Sequence, residues 1–189
     1  SELEAARIRH DVRHHALLIE EYVRKGEFEE LLAYLVQYGE DVEKQKVRNV
    51  SGNRAVNSIL SAYAKKARSH KIQVSMNIRV AEGLPVRDID WVAILANVFE
   101  NAIHGCIGSG SVQQEINIYI AQKRNKVIIQ CRNTSTEEVV FHKGLPQSEK
   151  GGGIGVRSII KAASNYDGET DFCLENGQFV TRILLNLPT

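Results

Sequence analysis

From Ala5 the apolar and semi-apolar positions advance in steps of three and four through Ile8, Val12, His15, Ile19 and Tyr22. That is the period of a coiled-coil-like seam on a helix. The pattern stops at Lys25-Gly26, where a glycine can take the left-handed conformation that closes a helix. A second seam follows at Phe28, Leu31, Leu35, Tyr38 and Val42, so residues 2–47 predict a helical hairpin. Two helices of this length cannot enclose a core alone, and pairing two copies into a four-helix bundle closes one at least cost. A homodimer through the N-terminal helices is therefore expected.

Turn composition at Ser51-Gly52-Asn53 separates this hairpin, residues 1–49, from a second domain over 50–189. There Val56, Ile59, Leu60, Tyr63, Ala64 and Ala67 predict a helix of about four turns. Ile72, Val74, Met76, Ile78 and Val80 alternate with polar residues, the period of a half-buried strand. Ile89, Val92, Ala96, Phe99, Ile103 and Cys106 form the buried stripe of the next helix, with Asp88 or Asp90 suited to its N-terminus. Ile116, Ile118 and Ile120, then Val127, Ile129 and Cys131, predict a hairpin turned at residues 123–126. From Thr134 to Lys150 no period survives, and so long a loop in a compact domain is expected to be functional, here a lid. A helix from about Ile154 to Asn165 and strands near 169–174 and 179–187 complete the pattern. The fold class expected is α+β: the helical hairpin, then an α/β sandwich with helices on one face of a mixed sheet.

Composition narrows the function without naming it. The 189 residues are 43% apolar and 25% charged with a formal net charge of +1, which lacks the basic excess of a non-specific nucleic-acid binder. Residues 1–50 hold 8 Lys or Arg against 11 Asp or Glu and the remainder 16 against 12, so the second domain is mildly basic and suits an anionic ligand. Cys106, Cys131 and Cys173 are widely spaced and outside any C-x-x-C pair, indicating neither a disulfide framework nor a zinc site. A reducing, cytoplasmic setting is expected. No apolar run approaches the roughly 20 residues of a spanning helix. The chain has no initiator Met and opens inside a helical pattern, so an N-terminal continuation is expected.

Two features carry candidate chemistry. Asn97 and Asn101 lie four apart on one helix, hence on one face, at the edge of its apolar stripe, where a carboxamide can meet a metal or phosphate oxygen. The plain alternative is two solvated asparagines, although asparagine is a mediocre helix former. Lys150, Gly151, Gly152, Gly153, Ile154 and Gly155 end the lid and open a helix, which offers bare amides and a positive helix end to an anion. This is no Walker loop, since no Gly-Lys-Ser/Thr follows. The plain alternative here is a glycine-rich hinge.

The two features in this order, with a hairpin between them, resemble the ATP-binding domain shared by DNA gyrase, MutL, the large heat-shock chaperones and the sensor histidine kinases, the GHKL or Bergerat type. The family's Asn-x-x-x-Asn appears as Asn97-Val98-Phe99-Glu100-Asn101, and its Gly-x-Gly-x-Gly as Gly151, Gly153 and Gly155. The resemblance implies that Asn101 ligates Mg²⁺ bridging the phosphates of ATP, that Asn97 lies beside the phosphate chain, and that the lid folds over the nucleotide. The family usually places an Asp-x-Gly-x-Gly between these motifs, its Asp accepting from the adenine amino group. Here the strand ends Arg132-Asn133-Thr134-Ser135, and Asn133 takes that place with an oxygen that can also accept. Asn133-Thr134 followed by Pro146-x-Ser148-x-Lys150 is similar to the peptide-sensing branch of histidine kinases, where this substitution is usual.

The first helix is similar to that branch as well. Arg9-His10-Asp11-Val12-Arg13-His14-His15 resembles its phosphoacceptor box, in which a histidine precedes an acidic residue. With Ala5 and Val12 at seam positions a, and Ile8 and His15 at d, His10 falls at f and points to solvent, while His15 packs on the seam. The resemblance implies ATP-dependent autophosphorylation on His10, with Asp11 as base or orienter, then transfer to an aspartate of a response regulator. His14 falls where the family often has a small polar residue serving phosphatase activity. The chain would be the cytoplasmic portion of a membrane sensor whose N-terminal region is missing. Two other functions compete: a decayed phosphotransferase or scaffold of the same fold, or a metal-binding protein using His10 and His14 at i, i+4 spacing with Asp11. An anti-sigma-type serine kinase shares the ATP domain but lacks the helical hairpin.

Overall fold

Glu2–Lys25 (α1) and Phe28–Arg48 (α2) form the first two helices. They reverse at Gly26, whose φ of 71° is the left-handed closure its sequence position requires. The structure is a computed structural model and describes residues 2–48, 53–136, 138–147 and 153–189. It divides into two compact units, residues 1–45 and 46–189.

In the first unit the inner side of the hairpin holds His15, Ile19 and Tyr22 of α1 and Leu31 and Tyr34 of α2, all half-buried. His15 Nδ1 is hydrogen-bonded with the Tyr34 hydroxyl, and its ring lies 4.2 Å from that of Tyr38. The phase of α2 differs from the sequence expectation. Phe28 and Leu35 are exposed, and Tyr34, one step away, packs inward. One chain has only one partner helix to face, so a single line of α2 residues is covered. Ile8 and Val12 of the α1 seam remain 57% exposed.

The second unit begins with Arg54–Ser69 (α3), capped by Asn53, whose side chain accepts from the Val56 amide at 3.0 Å. Gln73–Arg79 (β1), Asp88–Ser109 (α4), Glu115–Lys123 (β2) and Lys126–Thr134 (β3) follow. Phe141–His142 (β4) and Leu145–Pro146 (β5) come next, then Ile154–Ser164 (α5), Glu169–Glu175 (β6) and Gln178–Asn186 (β7). Five strands form one mixed sheet in the order β1-β2-β3-β7-β6. β1 and β2 are parallel, as strands joined through a crossover helix must be, and the other pairs are antiparallel.

Alternation decides which face is covered. Ile116, Ile118 and Ile120 of β2, Val127, Ile129 and Cys131 of β3, and Ile183 and Leu185 of β7 point to the helical layer and are buried. There they meet Leu60 of α3, Trp91, Leu95 and Phe99 of α4, and Ile159 of α5 in one core. Fully burying side chains of this size contributes about 1.5–3 kcal/mol each. The opposite face is polar. Glu175 accepts from Arg182 and Arg132, each at 2.8 Å, and these bonds hold its carboxyl at about 2.

The structure corrects two expectations here. Ile89 (68% exposed) and Val92 (44%) face solvent and Ala96 is only half-buried, whereas Trp91, Ile94, Leu95 and Val98 are buried. α4 is the central helix, flanked by α3 and α5 above the sheet, so its buried arc is broad and rotated from the narrow stripe expected. The segment from Thr134 to Lys150 is not patternless throughout. It contains the β4–β5 ladder, closed by Lys143 and Gly144, both at positive φ.

Asp90 is the charged group that the rotated phase draws inside, at 4% exposure. It accepts from Arg87 Nε at 2.8 Å, Asn165 Nδ2 at 3.1 Å and the Tyr166 hydroxyl at 2.5 Å, tying the start of α4 to the end of α5. The Arg87 bond leads the interactions that lower its pKa. A carboxyl whose folded pKa is depressed adds stability above its unfolded value of about 3.9, and loses it as pH falls through the folded value. Asp90→Asn is expected to cost about 1–3 kcal/mol at pH 7. The gap to wild type should narrow only below about pH 4; urea unfolding at pH 7, 5 and 3 measures it, and a gap unchanged down to pH 3 contradicts the account.

Candidate functional site

One side of α4 opens onto a cavity of about 510 Å³. Asn97, Glu100, Asn101, His104 and Gly105 of α4 form one wall, and Asn133 and Ser135 at the end of β3 with Phe179 of β7 form another. Val139, Pro146 and Gln147 come from the segment between β3 and α5, and Gly153, Ile154, Gly155 and Val156 from the start of α5. Asn97 and Asn101 project together because residues four apart share a helix face.

Gly153 caps α5 with φ 65°, a left-handed conformation natural to glycine. Gly155 lets the helix start lie on the two asparagines. A Cβ there would stand 3.0 Å from Asn97 Oδ1 and 3.4 Å from Asn101 Oδ1. Asn97 Nδ2 donates to the Ala93 carbonyl at 2.6 Å, which ties the carboxamide to α4. The cavity therefore has carboxamide oxygens on one side and, on the other, a helix start whose first amides lack intrahelical partners. The first can serve a hard cation and the second an anion.

Asn133 is 2% exposed, and its Nδ2 donates to the Thr134 carbonyl at 2.9 Å. It fits against α4 because residue 105 is glycine, where a Cβ would come within 2.6 Å of Nδ2. Of the residues singled out in the sequence, Asn97, Asn101, Asn133, Gly153, Ile154 and Gly155 are thus brought to one cavity. Lys150, Gly151 and Gly152 lie outside the described residues. His10 and Asp11 belong to α1 in the other unit. There His10 is exposed, with Nδ1 3.4 Å from Asp11 Oδ1.

Sequence reasoning missed Glu100, His104 and Gly105. His104 and Gly105 follow Asn97 by seven and eight residues, so the same helix face already pointed to them. Glu100 accepts from the Tyr63 hydroxyl of α3 at 3.1 Å, with Lys66 Nζ 4.0 Å away, and no sequence spacing links residues 37 apart. The thiols near this region are quiet. Burial pushes Cys106 up to about 11 and Cys131 up to about 12, so neither is a nucleophile at neutral pH. Among the described residues no group of three or more His, Cys, Asp or Glu could hold a metal ion. Nor is any helix there long and apolar enough to cross a membrane.

The family model of the GHKL domain matches residues 86–186, more than half of the chain, from the start of α4 to the end of β7. The chain belongs to the GHKL family. No curated protein sequence matches it. The GHKL domain here has the fold of histidine kinase catalytic domains. That of the histidine kinase ThkA, in a nucleotide-free form, gives a TM-score of 0.56 at 13% identity, covering 72% of this chain and 92% of its own. The mycobacterial sensor histidine kinase MprB gives 0.52 at 12% identity, over 71% and 95%. The Acinetobacter baumannii histidine kinase AdeS gives 0.52 at 13% identity, over 86% and 84%. Identities this low carry the GHKL fold, and the activity has to be argued from the site.

Proposed function

We propose that this chain is the catalytic portion of a sensor histidine kinase, which binds ATP with Mg²⁺ in the α4 cavity, phosphorylates itself on His10 and passes the phosphoryl group to an aspartate of a response regulator. The observation that carries the proposal is the convergence of Asn97, Asn101 and Asn133 with the glycine-opened start of α5 on one cavity. The donor set fits the nucleotide. Gly105 lets Asn133 pack against α4 and Gly155 lets the start of α5 lie on Asn97 and Asn101, Asn101 offers an oxygen to Mg²⁺, and the α5 amides, with Lys150 to Gly152 before them in sequence, suit phosphates.

Bound ATP supplies the transferable phosphoryl group, and Mg²⁺ its charge neutralisation. The chain's own residues do the rest. Donation from Asn133 Nδ2 to Thr134 leaves Oδ1 as the acceptor for an adenine amino group. Asp11 faces His10 Nδ1, which holds the tautomer whose lone pair is on Nε2, the nitrogen that accepts the phosphoryl group. The exposure of His10 on α1 suits both a catalytic domain and a later receiver domain.

The exposed apolar residues Ile8, Val12 and Leu35 favour a homodimer through a four-helix bundle. A solution mass of one 21.1 kDa chain would contradict it. By analogy with the family, a membrane sensor region would carry this portion on the cytoplasmic side. Calorimetric titration with ATP tests the cavity. Wild type should bind more tightly with Mg²⁺ than without, and Asn101→Ala should lose at least tenfold in affinity, about 1.4 kcal/mol, along with the Mg²⁺ dependence. Binding indifferent to Mg²⁺ in wild type would favour a scaffold of the same fold.

A further inference from the structure

Outside the nucleotide cavity, α1 carries a second cluster with a geometry of its own. His10 and His14 stand one turn apart and exposed, their Nε2 atoms 3.1 Å from each other and their ring centroids 4.3 Å apart. Two imidazole nitrogens bound to one ion at about 2.0–2.1 Å, with an angle of roughly 90–110° between them, are separated by roughly 2.8–3.4 Å. The hydrogen-bonded pair thus stands at a spacing that a shared ion can also adopt. Asp11 Oδ1, 3.4 Å from His10 Nδ1, adds the carboxylate partner that typically backs a metal-binding imidazole, fixing its tautomer and raising the basicity of Nε2.

We propose that His10 and His14 form a two-nitrogen site for a divalent transition-metal cation of the Zn²⁺ class, and that filling it blocks phosphoryl acceptance at His10. The blockade rests on His10 being the acceptor; the site does not. With Nδ1 of His10 turned to Asp11, the hydrogen between the two Nε2 atoms belongs to His14. Binding moves that hydrogen to His14 Nδ1, and both Nε2 lone pairs pass to the ion. The lone pair His10 would direct at phosphorus is then engaged. Asp11 faces the ring's other nitrogen, so the chain supplies two ligands and water completes the shell. Borderline cations favour imidazole, whereas Mg²⁺ favours oxygen, so the ion that ATP needs does not compete.

Zn²⁺ is the probe. It is titrated without nucleotide into wild type, His10→Gln and His14→Ala, with binding read by competition against a coloured chelator. One ion per wild-type chain is expected, held by the two imidazoles and weakened at least tenfold in each variant; equal binding by all three overturns the site. Label from γ-labelled ATP is then followed in wild type and His14→Ala, each relative to its own metal-free rate. Wild type should stop at the Zn²⁺ level that fills the site and recover with a zinc-selective chelator, and His14→Ala should need at least tenfold more. Undiminished labelling of zinc-filled wild type overturns the blockade. Metal-free wild type that takes no label on His10 removes the acceptor assignment and the blockade with it, while the binding result still decides the site.

Discussion

Gly155→Val is expected to abolish ATP binding while the chain stays folded. The Cβ alone would meet Asn97 Oδ1 at 3.0 Å and Asn101 Oδ1 at 3.4 Å. Asn97 cannot swing away without giving up its bond to the Ala93 carbonyl. Valine adds two methyl groups to that collision and forces the start of α5 off the asparagine face, separating the oxygens proposed for the cation from the amides proposed for the phosphates. A loss of at least 100-fold in affinity, about 2.7 kcal/mol, is expected by calorimetry. Overpacking of this kind costs stability as well, about 1–3 kcal/mol. The circular dichroism spectrum should be kept, with the melting temperature lowered by several degrees. Unimpaired binding of Mg²⁺ and ATP by this variant would mean that the nucleotide does not use the contact between α4 and α5.

The largest effect on stability is expected from Gly168→Ala, at the reversal from α5 into β6. A Cβ there would lie 2.6 Å from two backbone oxygens, those of Ala163 and Leu184. Neither is the mobile end of a side chain. The Ala163 carbonyl also accepts from the Gly168 amide at 3.0 Å, so relief requires α5 to lift from β7. The cost is expected at about 2–4 kcal/mol, a fall of roughly 10 °C in melting temperature for a domain of this size. An unchanged melting temperature would show that α5 and β7 are not packed as described.

The sequence exposed the elements whose burial is one-sided and hid those whose burial is not. β2 and β3 alternate cleanly because one sheet face meets helices and the other water, so Ile116 to Ile120 and Val127 to Cys131 could be placed without coordinates. α4 is covered on three sides, which turned Ile89 and Val92 outward and drew Asp90 inward to Arg87, Asn165 and Tyr166. No helical period predicts a buried carboxylate whose partners lie 75 residues away. β4 and β5 are two residues each, shorter than any alternation can register. At the site, Asn97, Asn101 and Gly155 were legible as motif residues. His104 and Gly105 lay on the same helix face and were passed over for want of a motif. Glu100, three residues after Asn97, lay on that face too, Phe179 reaches the cavity only through tertiary packing, and Asn133 was placed by the family resemblance, where the family's aspartate stands.

The central claim is that this chain moves a phosphoryl group from ATP to His10, and the position of that group tests it most directly. Wild-type protein incubated with γ-labelled ATP and Mg²⁺ is digested at neutral or alkaline pH, and the labelled peptide is mapped. The account predicts acid-labile label on the peptide containing His10, absent from Asn101→Ala. Label on another residue, acid-stable label, or an unlabelled chain that nevertheless binds Mg²⁺ and ATP would contradict it.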